Sequence, residues 1–212
     1  MRRAAGGTGA ASGIGRAIAA ELGVRGWPLA LVDRAPLADE APGASRHVVD
    51  VADPTAWDRL VGEVDAAHGG VGLLVHAAGL TVHGPFEAHD IADVDRVVAV
   101  DLLGVMYGCR ALLPRLRDGG GRIVIVSSMS ALFGTPMQAT YCAAKAGVRT
   151  FGHALDVELA GSGVGVTVAL PGTVATPFLQ HAAARHASAG WMGDAMRVVG
   201  ADPARVARRI VR

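Results

Sequence analysis

The chain has one lysine. Lys145 stands alone among 20 lysines and arginines, so every other permanently charged cation is an arginine. Cysteine is nearly as scarce. Cys109 and Cys142 are too few for a disulfide framework and argue against a cysteine metal site; we expect two small core or helix residues in a reducing compartment. No sign of charge dominates. The formal net charge of +1 gives no electrostatic reason to expect nucleic acid or an anionic membrane as partner. No run approaches the roughly eighteen apolar residues of a membrane span. Arg2 and Arg3 hint at an export signal, but residues 4–9 supply no apolar stretch behind them. A cytoplasmic protein is expected.

What is present is a compact composition. With 51% hydrophobic and 18% charged residues, the 212-residue chain suits a globular fold rather than a disordered one. It reads as a single domain, residues 1–212, without linker or repeat. Helical patterns over 16–25, 54–68, 92–116 and 141–159 alternate with apolar runs at 29–32, 47–51, 71–75, 122–126 and 164–170. Asp53-Pro54 and Asp202-Pro203 each read as an N-cap followed by proline in the first turn. Alternating strands and helices predict βαβ units: an α/β fold with a doubly wound parallel sheet between two helical layers. In such sheets ligands bind beyond the carboxyl ends of the strands. The unusual residues gather at those ends: the glycine loop after residue 7, Asp33, His76 to Gly79, Ser127-Ser128 and Pro171-Gly172.

The loop Thr8-Gly9-Ala10-Ala11-Ser12-Gly13-Ile14-Gly15 has glycines where a backbone must turn sharply and approach an anion without a Cβ in the way. A helix follows, presenting N–H groups and the positive end of its dipole. A pyrophosphate is the expected occupant, with a glycine-rich surface turn as the plainer alternative. Asp33 ends the next strand, where a carboxylate can accept hydrogen bonds from ribose hydroxyls and repel a 2′-phosphate, which favours NAD over NADP. Arg34 beside it complicates that preference, because a guanidinium could hold the phosphate or stack on adenine. The strand in front of the loop is weak: residues 4–7 are Ala-Ala-Gly-Gly.

Tyr141-Cys-Ala-Ala-Lys145 places a phenol and an ammonium four apart on one helix face. A tyrosine with a pKa near 10 is a poor acid–base group at neutral pH, and a fixed cation beside it lowers that pKa. The one lysine of an arginine-using chain falls at this spacing. Ser128, thirteen residues earlier at a strand end, could hydrogen-bond a substrate oxygen.

Together, Thr-Gly-Ala-Ala-Ser-Gly-Ile-Gly, Asp33, Asp50-Val51, His-Ala-Ala-Gly, Ser128, Tyr-Cys-Ala-Ala-Lys and Pro-Gly-Thr-Val-Ala-Thr resemble the short-chain dehydrogenase/reductase family, from the first residues to about Thr176. The resemblance implies a Rossmann-type domain that binds NAD(H) or NADP(H) and moves a hydride between an alcohol and a ketone or aldehyde. It implies Tyr141 as acid/base, Lys145 lowering its pKa and holding the ribose, and Ser128 orienting substrate. Gly9, Ser12, Gly13, Ile14 and Gly15 would hold the pyrophosphate, Asp50 and Val51 would flank the adenine, and Ala78 and Gly79 would lie near the cofactor. Pro171, Gly172, Val174 and Thr176 would line the nicotinamide side. It also implies a homo-oligomer. Residues 176–200, with Phe178, Leu179, Trp191 and Met192, would cover a small, fairly apolar substrate.

The chain departs from the family pattern in several places. Asp101 stands where the family often has an asparagine that holds a relay water; a carboxylate accepts but cannot donate, and it brings a negative charge towards Lys145. His76 replaces an asparagine and is expected to pack rather than titrate. His181 and His186 read as lid surface, not metal ligands; no metal is expected. Both ends look short, and the arginine-rich final residues read as a solvated helix face. These departures leave a second function class open: a dinucleotide-binding regulator or interaction protein without turnover.

Overall fold

The computed structural model describes residues 3–212 apart from 39, 40, 42 and 181; the expectation for His181 therefore lies outside the described residues. The first half runs β1 (Ala4–Thr8), α1 (Gly13–Val24), β2 (Leu29–Asp33), β3 (Ser45–Val48), α2 (Pro54–His68), β4 (Val71–His76) and β5 (Val82–His83). The second runs α3 (Ile91–Val98), α4 (Gly104–Arg117), β6 (Gly121–Val126), α5 (Ala139–Glu158), β7 (Val164–Ala169), β8 (Ala183–Ala184), α6 (Ser188–Val199) and α7 (Pro203–Ile210). Both proposed caps form. Asp53 accepts from the Thr55 N–H, and Asp202 from those of Ala204 and Arg205.

Six strands make one parallel sheet in the order β3-β2-β1-β4-β6-β7, and β5 pairs with β8 in a small second one. Successive side chains of each strand feed opposite layers. Leu74, Ile123 and Ile125 pack with Trp57 and Leu60 of α2, Cys109 and Leu112 of α4, and Val148 and Leu155 of α5. Leu73, Val75, Val124 and Val126 pack on the other face with Ile18 and Leu22 of α1 and Ala207 of α7. The fold is a three-layer Rossmann-type arrangement. Its chain reverses sheet direction between β1 and β4, which opens a crevice above their carboxyl ends.

The Ala-Ala-Gly-Gly stretch forms the central strand. β1 pairs with β2 on one side and β4 on the other, and Ala4 and Ala5 are buried. Just beyond it α1 sits close against the loop: a Cβ on Gly15 would run into the carbonyl of Gly9. Thr8 strengthens the strand end by accepting the N–H groups of Ala77 and Ala78 at 3.1 Å each.

One expectation needs correction. The helical run Ile91–Arg117 is long and apolar enough to cross a membrane by length and composition. In the fold it is a core helix. It buries Val97, Val105, Cys109, Leu112 and Leu116, and its π-helical turn at Ala99–Leu103 carries the buried Asp101. Tertiary packing, not composition, decides where such a helix lies.

Candidate active site

The crevice is a cavity of about 740 Å³. Its floor is the glycine loop: Gly9, Ser12, Gly13, Ile14 and Gly15 all line it. Gly9 has φ of +70°, and a Cβ there would fall 2.7 Å from the Ala78 nitrogen. Only glycine suits that position. Ser12 makes no side-chain cap to α1, so the first turn of the helix meets the cavity with its N–H groups uncovered by a side chain. Loop and helix fit a pyrophosphate. Asp33 also faces the cavity and braces the loop, its two carboxylate oxygens accepting from the N–H groups of Ala11 and Ala35, each at 2.9 Å.

Arg34, Asp50 and Val51 line the same cavity, with Ala78 and Gly79 above β4 and Pro171, Gly172, Val174 and Thr176 beyond β7. Residues far apart in sequence thus converge because the parallel strands end together. Asp50 is ion-paired with Arg96 at 2.8 Å and accepts from the Ala52 N–H. Burial works against its charge, but the Arg96 hydrogen bond and the Ala52 N–H outweigh it, and the carboxyl lies below its ordinary range.

Ser128, Tyr141 and Lys145 face the inner part of the cavity. β6 delivers Ser128, whose Oγ accepts from the Ser130 N–H at 3.1 Å. α5 carries Tyr141 and Lys145, with the ammonium 5.7 Å from the phenol ring centre. Ser127 pins that helix to β6: its hydroxyl donates to the Lys145 carbonyl at 2.8 Å, while Lys145 Nζ donates to the Val126 carbonyl at 3.1 Å. The sequence marked Ser127 only together with Ser128 at a strand end, with no role of its own.

Asp101 stands apart from the others. It does not line the cavity but lies behind Gly79, fully buried, with Oδ1 accepting from the Leu80 N–H at 2.8 Å and Oδ2 3.1 Å from Lys145 Nζ. Burial pushes the Asp101 carboxyl up despite the ammonium. Burial also opposes the Lys145 charge, yet Asp101 and Tyr141 more than compensate, and the ammonium holds its proton above the ordinary range. This revises one expectation. Burial pushes the Tyr141 phenol up rather than down: Lys145 and a hydrogen bond with Ser128 pull against it, but Asp101 pushes the same way as burial. The lone lysine's charge is largely answered by a carboxylate.

His76 is a core residue. It packs edge-on to Trp57 and meets Cys109 Sγ at 3.5 Å, and burial lowers its pKa to about 3. The covering segment divides. Phe178 and Met196 line the cavity, and Phe178 lies 5.4 Å from the Tyr141 ring. Leu179 is buried elsewhere, Met192 does not line the cavity, and Trp191 is 65% exposed; these three were expected over the substrate and do not reach it. His186 is exposed and bonds Ser188, and no cluster able to hold a metal occurs among the described residues. Among the cavity residues that sequence reasoning missed, Asp93, Arg96 and Val97 sit on α3, whose amphipathic pattern does not say which polar residues face inward.

A family model for short chain dehydrogenases matches residues 4–187. The chain belongs to the short-chain dehydrogenase family. Within it, the chain is 38% identical over 180 residues to the probable oxidoreductase EphD of Mycobacterium tuberculosis, covering 80% of this chain but only 30% of that protein. It is 36% identical over 179 residues to the 2-dehydro-3-deoxy-L-rhamnonate dehydrogenase (NAD(+)) of a Sphingomonas species, covering 81% and 72%. A short-chain dehydrogenase/reductase from Burkholderia phymatum, solved in complex with NAD, superposes with a TM-score of 0.87 at 26% identity, covering 98% of this chain and 83% of that one.

Proposed function

We propose that this chain is an NAD-dependent oxidoreductase that interconverts an alcohol and a ketone or aldehyde. The convergence of Ser128, Tyr141 and Lys145 on one cavity with the glycine loop carries this reading. A nicotinamide dinucleotide bound there supplies the hydride acceptor or donor. The glycine loop and the start of α1 would hold its pyrophosphate, and Lys145 would hold its ribose. In oxidation, Ser128 hydrogen-bonds the substrate oxygen and Tyr141 takes the hydroxyl proton as the carbinol C–H leaves as hydride. In reduction, Tyr141 returns that proton to the forming alkoxide. Phe178 and Met196 exclude water from the reacting carbon.

Asp33 supports NAD over NADP, since a 2′-phosphate would meet its carboxylate; the named NAD(+) specificity of the Sphingomonas relative and the bound NAD of the Burkholderia structure support the same choice. Phe178 and Met196 at the cavity support a small, fairly apolar substrate. A cytoplasmic homo-oligomer remains part of the proposal, resting on the free thiols Cys109 and Cys142 and on the family. A second reading, a dinucleotide-binding regulator without turnover, draws on the Asp101–Lys145 pair, which blunts the cation that Tyr141 needs. The experiment that separates the two is alcohol-dependent NADH formation across a panel of small apolar alcohols. Tyr141-dependent turnover supports the enzyme; NAD binding without it supports the regulator. Tighter binding of NADP than NAD overturns the role given to Asp33.

A further inference from the structure

Helix α3 forms one wall of the cavity. Asp93, Arg96, Val97 and, in the turn beyond, Val100 follow the three-and-four spacing of one helix face, and all four line the cavity. The two charged members are tied in different directions. Asp93 meets Arg185 Nε at 2.6 Å, next to β8 on the covering segment. Arg96 Nη1 meets Asp50 Oδ2 at 2.8 Å, on the turn after β3. Asp33, Arg34 and Asp50 line the same cavity as Arg96, and the Asp50 contact ties Arg96 to the turn after β3, the strand next to β2.

The Arg96 and Asp50 side chains are 33% and 35% exposed. Such a pair contributes little to stability, so a structural purpose does not account for its position over the cavity. Its effect is geometric. Asp50 is itself held by the Ala52 N–H, and it holds a guanidinium that lines the same cavity as Asp33 and Arg34 at the end of β2. A guanidinium fixed in this way stacks on an aromatic ring with little further loss of side-chain freedom.

We propose that Arg96 is a cofactor-positioning residue, held by Asp50 so that its guanidinium closes the adenosine end of the cavity against the adenine ring. This rests on the dinucleotide reading given above.

Calorimetric titration of the full chain tests it with four ligands: NAD, NADP, ADP-ribose and nicotinamide mononucleotide. Arg96→Met is expected to weaken NAD and ADP-ribose about fivefold, the size of an exposed cation–π contact, and to leave the mononucleotide unchanged. Arg96→Lys recovers only part of the loss, because an ammonium has no planar face. Unchanged NAD affinity in Arg96→Met overturns the inference, as does an equal loss for the mononucleotide. A loss confined to NADP would make Arg96 a phosphate ligand and overturn it too. Wild-type protein that binds neither NAD nor ADP-ribose overturns the cofactor reading itself, and this inference with it.

Discussion

Asp101 and Lys145 form a buried ion pair at 3.1 Å, their side chains 0% and 6% exposed. The carboxylate lies behind the cavity wall and the ammonium lines the cavity, so the pair couples a hidden charge to the site. Asp101 favours the protonated phenol of Tyr141, and the base required for alcohol oxidation is the phenolate. Removing the negative charge therefore lowers the Tyr141 pKa. In Asp101→Asn the rising limb of the oxidation rate against pH should move to lower pH by about one unit. Superimposable pH–rate profiles would show that Asp101 does not act on the phenol.

Tyr141→Phe removes the proton acceptor and leaves the ring that packs near Phe178. Turnover should fall by roughly 10²-fold or more, while NAD affinity stays within about twofold. Steady-state rates and a binding titration on the same preparation check this. A variant that keeps wild-type turnover would remove Tyr141 from the chemistry.

Two glycines of the first βα unit should respond in opposite ways to alanine. Gly7 has nothing within 4 Å of an added Cβ and borders a small void lined by Ile18, Leu22, Leu31 and Val75. Gly7→Ala fills space and restricts the unfolded chain, so a gain of about 1 kcal/mol is expected. Gly15→Ala drives a methyl into the Gly9 carbonyl and forces α1 off the loop. It should lower the melting temperature by several degrees and weaken NAD binding. Thermal melts of both variants would refute the packing argument if their order were reversed.

His76 sets part of the pH dependence of stability. Its folded pKa of about 3 lies below the ordinary 6.5, so between these values the unfolded chain binds a proton that the folded one does not. Stability from this group is complete above about pH 6.5 and is lost as pH falls towards 3, with a slope approaching 1.4 kcal/mol per pH unit. Denaturant titrations of wild type and His76→Asn from pH 7 to 4 should show a shallower fall in the variant. Parallel slopes would mean that other groups govern the loss.

The αβ order, the two Asp-Pro caps and the spacing of Tyr141 from Lys145 were legible in sequence because each is set by neighbours along the chain: periodicity, a cap within three residues, one helix face. The same holds for the glycine loop, whose positive φ at Gly9 and Gly13 is a local demand. The weak β1 was harder to read. Its place in the sheet centre comes from pairing with β2 and β4, which the small side chains of Ala-Ala-Gly-Gly do not announce.

Only the tertiary structure decided the electrostatics and the far walls of the site. The sequence determined that a phenol and the single ammonium share a helix face; it could not say that a carboxylate from a π-helical turn would meet that ammonium at 3.1 Å, or that burial would raise the phenol. Nor could it turn Arg96 and Asp93 towards the cavity, bring Phe178 over Tyr141, or send Trp191 out to solvent. The physical reason is range. Helix caps and backbone turns are settled within a few residues, whereas charge coupling and desolvation depend on what distant segments place within a few ångströms of one another.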